Sequence, residues 1–172
     1  MKKFYTVDRL GTLSSGALID VTKYDDVNPE VLQSHVDELF PHEVSAHGEN
    51  YLLKNGSHGG IFSSAIELLF EYVRRAHFPD VKSRFECFFA CESIEEAMAF
   101  RDKFGQPSNR IFEVFSEKSY FKGNMVLLDN NQTLLVCSYF ADEYWKGNRG
   151  SISESFWEIL LELPVTIGEQ VG

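Results

Sequence analysis

Apolar positions recur at helical spacing in two early stretches and crowd into short β-prone runs later in the chain. In "YDDVNPEVLQSHVDELFP" the residues Val31, Leu32, His35, Val36, Leu39 and Phe40 fall on one stripe. Asn28 suits the capping position, Pro29 the first helical position and Pro41 the end, so the stretch predicts a helix. "IFSSAIELLFEYVRRAHF" predicts the longest helix, with Ile61, Ala65, Leu68, Leu69, Tyr72 and Val73 on its apolar face. Between them, "HEVSAHGENYLLKNGSHGG" is polar and glycine-rich, and it predicts a long loop. Residues 25–60 thus read as a helix plus a polar loop insertion.

The β-prone runs begin with "FYTV" and, after the turn-rich "GTLSSG", "ALIDV". "FECFFACE" predicts a strand, and "SIEEAMAFRDKF" predicts a helix starting at Ile94. There Ser93 and Glu96 have the spacing of a capping box. "RIFEVF", "NMVLLD" and "TLLVCSYF" read as three strands, with "DNNQ" as the hairpin turn between the last two. "ADEYWKGNRGS" reads as a short helix or loop, and "SFWEILLELPVTI" as two closing strands. Early helices and late antiparallel-type strands predict an α+β fold. The chain is then a single domain, 1–172, with mixed, mostly antiparallel sheets and flanking helices. No G-x-G-x-x-G or P-loop motif is present.

Composition narrows the class further. With 172 residues and 44% hydrophobic content, the chain is sized for one globular domain. No apolar run approaches the ~20 residues of a bilayer span, and "MKKFYTVDRL" lacks the apolar core of a signal peptide. The expectation is a soluble, cytoplasmic protein without a membrane partner. A net charge of -10 disfavours nonspecific nucleic-acid or anionic-membrane binding. Cys87, Cys91 and Cys137 have no partners at metal-ligand spacing and read as buried reduced thiols. The five histidines form no H-x-x-x-H pair, so no metal site is expected; His42 and His47 flank the polar loop.

Candidate chemistry centres on Glu158, within "SFWEILL". In a strand, Trp157, Ile159 and Leu161 share one face, while Phe156, Glu158, Leu160 and Glu162 share the other. That second face is half apolar, so the carboxylate is either a solvated outward residue or a group aimed into a cleft. Ser93, opening a helix beside a strand end, marks an anion site in principle or an ordinary cap. Arg84 is either a surface ion-pair partner or a phosphate ligand.

Three separated stretches carry a resemblance to the ADP-ribosyltransferase superfamily. "FYTVDRLGTLSSG" is similar to its opening strand, with Tyr5, Thr6, Val7 and Asp8 at the motif. "SRFECFFACESIEEAMAF" resembles its middle strand and following helix. "FWEILLELPVTIGEQV" resembles its last motif, a strand Glu followed by apolar residues, a Pro-bearing turn and a final strand. The resemblance implies NAD as substrate and Glu158 as the catalytic glutamate. Its carboxylate would hold the nicotinamide-ribose hydroxyl and stabilise the positive charge that develops as nicotinamide leaves. Tyr5 and Thr6 would touch the nicotinamide-ribose end, and Arg84 or Arg9 the phosphates. Thr6 stands where the family has His. The stacking aromatic of the family falls near Ala99, beside Phe100, so Phe85, Phe88 or Tyr5 would supply that contact. Phe156, two before Glu158, stands where arginine-modifying members carry Glu or Gln.

The resemblance further implies a macromolecular acceptor, protein or nucleic acid, and, for a toxin-like member, a neutralising antitoxin or inhibitor protein. Two other readings stay open. One is a non-catalytic interaction module on the same fold, and the other an acidic immunity or inhibitor protein on an unrelated α+β fold.

Overall fold

The computed structural model describes residues 1–172 as an α+β domain built on two antiparallel sheets. Strands β1 (Lys2–Asp8), β2 (Leu18–Ile19), β4 (Arg110–Ser116) and β7 (Val165–Gln170) form one sheet in the order β1-β4-β7-β2. Strands β3 (Cys87–Ala90), β5 (Tyr120–Asn124) and β6 (Trp157–Glu162) form the other, in the order β3-β6-β5. The closing strands β6 and β7 therefore lie in different sheets, and the Leu163–Pro164 turn carries the chain across. A bridge between Tyr5 and Cys91 ties the sheets together, with Tyr5 N donating to Cys91 O at 3.0 Å and Cys91 N to Tyr5 O at 2.6 Å.

Helices α1 (Glu30–Leu39), α2 (Ala46–Gly48), α3 (Ser64–His77), α4 (Ile94–Phe104) and α5 (Leu134–Trp145) complete the fold. Strand alternation sorts the core into two halves. Ile159 and Leu161 of β6 join Phe4, Val114, Val165 and Ile167 between the sheets. Leu160 faces the other way and packs with Ile66, Phe70, Phe140, Tyr144 and Trp145 of α3 and α5. Glu158 shares that second face. Cys87, Cys91 and Cys137 are free and buried, and burial pushes the Cys87 and Cys91 thiols up to about 12.

Local signals delivered α4 as read. It begins at Ile94, the Ser93 side chain accepts from Glu96 N at 3.2 Å, and Glu96 accepts from Ser93 N. Other segments differ from the expectations. "TLLVCSYF" is the start of α5 rather than a strand, because the apolar run continues at helical spacing through Cys137, Phe140, Ala141, Tyr144 and Trp145. "DNNQ" is accordingly a loop into a helix, where Asp129 accepts from Asn131 N. "NMVLLD" is mostly a 3₁₀ turn, Met125–Leu127, capped by Asn124. The third strand of that sheet is "YFKGN", whose glycine and lysine concealed it. Asn28 does not cap α1; its side chain donates to Asp26 O, and Pro29 takes the capping position. No residue of α1 is buried, and Val31 and Leu32 are exposed. The region read as a polar loop holds α2 and a π-helical turn, Glu49–Leu53.

The α3 face also differs. Leu68 and Tyr72, placed on the apolar stripe, are exposed, while Ile66, Glu67, Phe70, Glu71 and Arg74 are buried. Two buried carboxylates thus point into the protein one helical turn apart.

Gly123 of β5 lies opposite Glu158 in the ladder, and a Cβ there would sit 2.5 Å from Tyr144 Cζ and 2.8 Å from its hydroxyl oxygen. The missing side chain lets the fully buried Tyr144 ring cross the strand towards Glu158. Gly123→Ala is expected to cost about 1–3 kcal/mol through overpacking, read as a lowered urea midpoint with unchanged slope.

Candidate functional site

A cavity of about 630 Å³ opens where β1, β3 and β6 meet α2 and the π-helical turn. That volume lies in the ordinary range for small-molecule sites. Its wall includes Thr6, Asp8 and Arg9 from β1 and the loop after it, and His47, Tyr51 and His58 from the polar region. Phe88 and Phe89 of β3, Phe100 of α4, and Trp157 and Glu158 of β6 complete the part that matters here, with Arg84 at the floor.

Arg84 organises that floor. It sits on the 3₁₀ turn Arg84–Glu86 just before β3 and is 2% exposed. Its Nε donates to Glu67 Oε2 at 2.7 Å and its Nη2 to Glu67 Oε1 at 3.0 Å. Its Nη1 donates to the Tyr144 hydroxyl oxygen at 2.6 Å and to Glu158 Oε1. The Tyr144 hydroxyl in turn donates to Glu158 Oε1 at 2.7 Å. The guanidinium carbon lies 4.8 Å from the Phe89 ring centre, a cation–π distance.

Charge balance follows from these contacts. Burial alone would drive the Glu67 carboxyl up, but the charges of Arg84 and His47 bring it down to about 2. Burial would lower Arg84, yet Glu158 and Glu67 hold it well above its ordinary value. Burial, with the Glu158 charge adding to it, pushes the Tyr144 hydroxyl well up, so it stays a neutral donor. Two carboxylates face one guanidinium, leaving a floor of net -1 wherever His47 is neutral.

Glu158 is held by one oxygen only. Oε1 takes both hydrogen bonds, while Oε2 has no protein partner and is not sealed from the cavity. The strand alternation therefore resolves to a buried carboxylate with one anchored and one open oxygen. Across the cavity, Thr6 donates its hydroxyl to Phe89 O at 3.0 Å, which leaves the oxygen lone pairs for an incoming donor.

The rim has the opposite sign. Arg9 lines the cavity with no carboxylate partner; its Nη2 donates to Gly59 O at 2.6 Å, and burial lowers its affinity for the proton. Lys54, paired with Glu49, and His58 lie on the same side.

The residues singled out in the sequence do not all meet here. Glu158, Thr6, Arg9, Arg84 and Phe88 line the cavity, whereas Tyr5, Phe85 and Ser93 do not. Tyr5 packs against the Cys91, Ala97 and Ile111 cluster. Phe85 is core, edge-on to Phe40 with ring centres 5.7 Å apart. Ser93 and Glu96 already satisfy the α4 N-terminus. Arg84 is not free to take a phosphate, since all three guanidinium nitrogens are engaged by Glu67, Tyr144 and Glu158. Arg9 keeps that capacity. The sequence marks His47 only as a flank of the polar loop, without a role, and gives Glu67 no signal, because its helix face is assigned by apolarity alone.

A family model described as a protein of unknown function, DUF2441, matches residues 17–172. The chain belongs to this family. No curated protein matches it. The match takes in every floor residue of this DUF2441 protein, while Thr6 and Arg9 precede the matched span. No helix is long and apolar enough to cross a membrane.

Removing one partner of the buried ion pair leaves an uncompensated charge. Arg84→Met is expected to cost about 3–5 kcal/mol. In a cycle with Glu67→Gln the double variant is expected to lose less than the sum of the singles, checked by chemical denaturation. Glu67 is depressed in the folded state, from an ordinary 4.5 to about 2. Its contribution is therefore complete above the higher value and lost as pH falls through the lower one. Wild-type melting temperature is expected to drop across that interval, and Glu67→Gln is expected to flatten the drop.

Proposed function

We propose that the cavity binds NAD and that the protein transfers ADP-ribose, inside the cell, to a macromolecular acceptor. The observation that carries this reading is the polarity of the cavity: a net-negative floor presenting the open Glu158 Oε2, and a cationic rim led by the unpaired Arg9. NAD has the matching polarity, a cationic nicotinamide ring at one end and a pyrophosphate between its nucleosides. The resemblance of the β1, β3 and β6 stretches to the ADP-ribosyltransferase superfamily supports it, because those three strands bring Thr6, Phe88 and Glu158 to one cavity.

In this reading Glu158 Oε2 accepts from a ribose hydroxyl of the nicotinamide side. Its negative charge stands beside the positive charge that builds on the sugar as the glycosidic bond lengthens. Arg84 and Tyr144 do not touch the substrate; they fix the carboxylate, so no reorganisation accompanies the charge development. Phe88 and Phe100 supply aromatic surface for the nicotinamide ring, and Arg9 exchanges its carbonyl partner for a phosphate oxygen. The net charge of -10 favours a protein acceptor over a nucleic acid. A toxin-like role would add a neutralising protein partner.

Purified protein with NAD and cell extract is expected to release nicotinamide and label an extract component, with Glu158→Gln lowering release by about 10²–10³-fold. NAD is expected to raise the melting temperature of both forms. No release and no thermal shift from NAD in the wild type would sink the reading.

A further inference from the structure

His47 occupies a place that core packing does not require. Its ring lies between Tyr51 and Phe89, with centroids 4.5 Å and 4.3 Å away and interplanar angles of 36° and 32°. Nε2 is 3.2 Å from Glu67 Oε1, although off-line for a well-directed hydrogen bond, and is closed off from solvent. Nδ1 has no protein partner and is not sealed; with the ring lining the cavity, that nitrogen is the open one. Most buried side-chain polar atoms have a hydrogen-bond partner, and in His47 neither nitrogen has a well-directed one.

The backbone beneath the ring is built to hold it. Ser45 donates its hydroxyl to Phe85 O at 3.1 Å and accepts from Gly48 N at 3.3 Å. A Cβ on Gly48 would collide with Phe85 O and lie 2.8 Å from Val44 Cβ, so the glycine is what lets α2 press onto the chain ahead of β3. Arg84 already donates to both Glu67 oxygens, so hydrogen-bond satisfaction of that carboxylate does not depend on His47.

A carboxylate behind one imidazole nitrogen selects the tautomer with the proton on that nitrogen and leaves the other as an acceptor. We propose that Glu67 holds neutral His47 with its proton on Nε2, and that Nδ1 receives the proton of the attacking nucleophile. This rests on the ADP-ribosyl reading for the identity of the step. A lone pair of the acceptor's hydroxyl or amine forms the bond to ribose C1′ while the bond from C1′ to the nicotinamide nitrogen breaks. The bonding pair leaves with that nitrogen and cancels its positive charge. The acceptor's proton moves to His47 Nδ1, and the resulting imidazolium sits against the Glu67 carboxylate until it returns the proton to water. Glu67 from α3 and Tyr51 from the π-helical turn face the ring directly, and Arg84 from the 3₁₀ turn is linked to it through Glu67 and the shared Phe89 ring. Glu158 of β6 and Tyr144 of α5 join through Arg84.

Two measurements test this. The first is ¹⁵N NMR of the histidine rings in wild-type protein, with the His47 signals assigned by their loss in His47→Gln. Protonation at Nε2 supports the proposal; a proton resting on Nδ1 overturns it, whatever the turnover. The second is the pH profile of nicotinamide release coupled to acceptor labelling. His47→Gln is expected to lower kcat about 10²-fold or more, leave KM for NAD nearly unchanged and abolish the acid limb. A variant that keeps wild-type kcat and its acid limb overturns the assignment while leaving the transferase reading intact. Absent turnover in wild type, with the proton found on Nε2, upholds the acceptor site and removes the transferase reading alone.

Discussion

The structure depends on how one buried guanidinium is neutralised. Arg84 leaves water almost entirely, at a desolvation cost that only close opposite charge and complete hydrogen bonding can offset. Its partners come from three separate elements: Glu67 on α3, Tyr144 on α5 and Glu158 on β6. Satisfying the guanidinium therefore fixes the distance of both helices from the three-stranded sheet. Gly123 belongs to the same constraint, because a side chain on β5 would deny Tyr144 its path. An ion pair of this kind is weak evidence for stability, but it specifies position strongly. Position is what a carboxylate with one anchored oxygen requires.

A second carboxylate repeats the device one turn along α3. Glu71 accepts from Arg74 at 2.9 Å and 3.0 Å, from Arg75 at 2.6 Å and from the Ser83 hydroxyl at 2.7 Å. Arg74 also donates to Val81 O at 2.8 Å. Glu67 and Glu71 together clamp the segment leading into β3, so Arg84 reaches the floor from a tethered backbone. The buried face of α3 is half ionic for this reason.

That is also why α3 was only partly legible in the sequence. Apolar periodicity located the helix, but it turned the wrong face inward, since Leu68 and Tyr72 are exposed while Glu67 and Glu71 are buried. Signals that act within a few residues were dependable, as the Ser93–Glu96 capping box shows. Signals needing a partner far along the chain were not. Alternation in β6 put Glu158 on the face of Leu160, yet whether that face met water depended on an arginine 74 residues away. The run "TLLVCSYF" carries β-prone residues, and only its continuation into "ADEYW" reveals the helical spacing of the residues that pack. His47 had no pattern at all around it; its role comes from α2 pressing onto the backbone at Phe85, a contact between segments about 40 residues apart.

The same partition of charge that stabilises the floor leaves the rim incomplete. Arg9 is partly buried, and its one hydrogen-bonded contact is to a neutral carbonyl, Gly59 O. Desolvation without a countercharge disfavours its charged form, which is the direction of its shift. Within the folded chain nothing acidic offsets that cost, because Asp8 is taken by Arg110 at 2.7 Å and by the Thr12 and Leu13 amides. At the floor the imbalance has the opposite sign, two carboxylates for one guanidinium. Neither imbalance is offset within the cavity, although Glu158 still serves Arg84 and Tyr144 as a hydrogen-bond acceptor. Both persist in one cavity, and a ligand carrying a cation at one end and an anion further along relieves both at once. For such a ligand the two imbalances would favour one orientation, because reversing it would place like charges together at both ends.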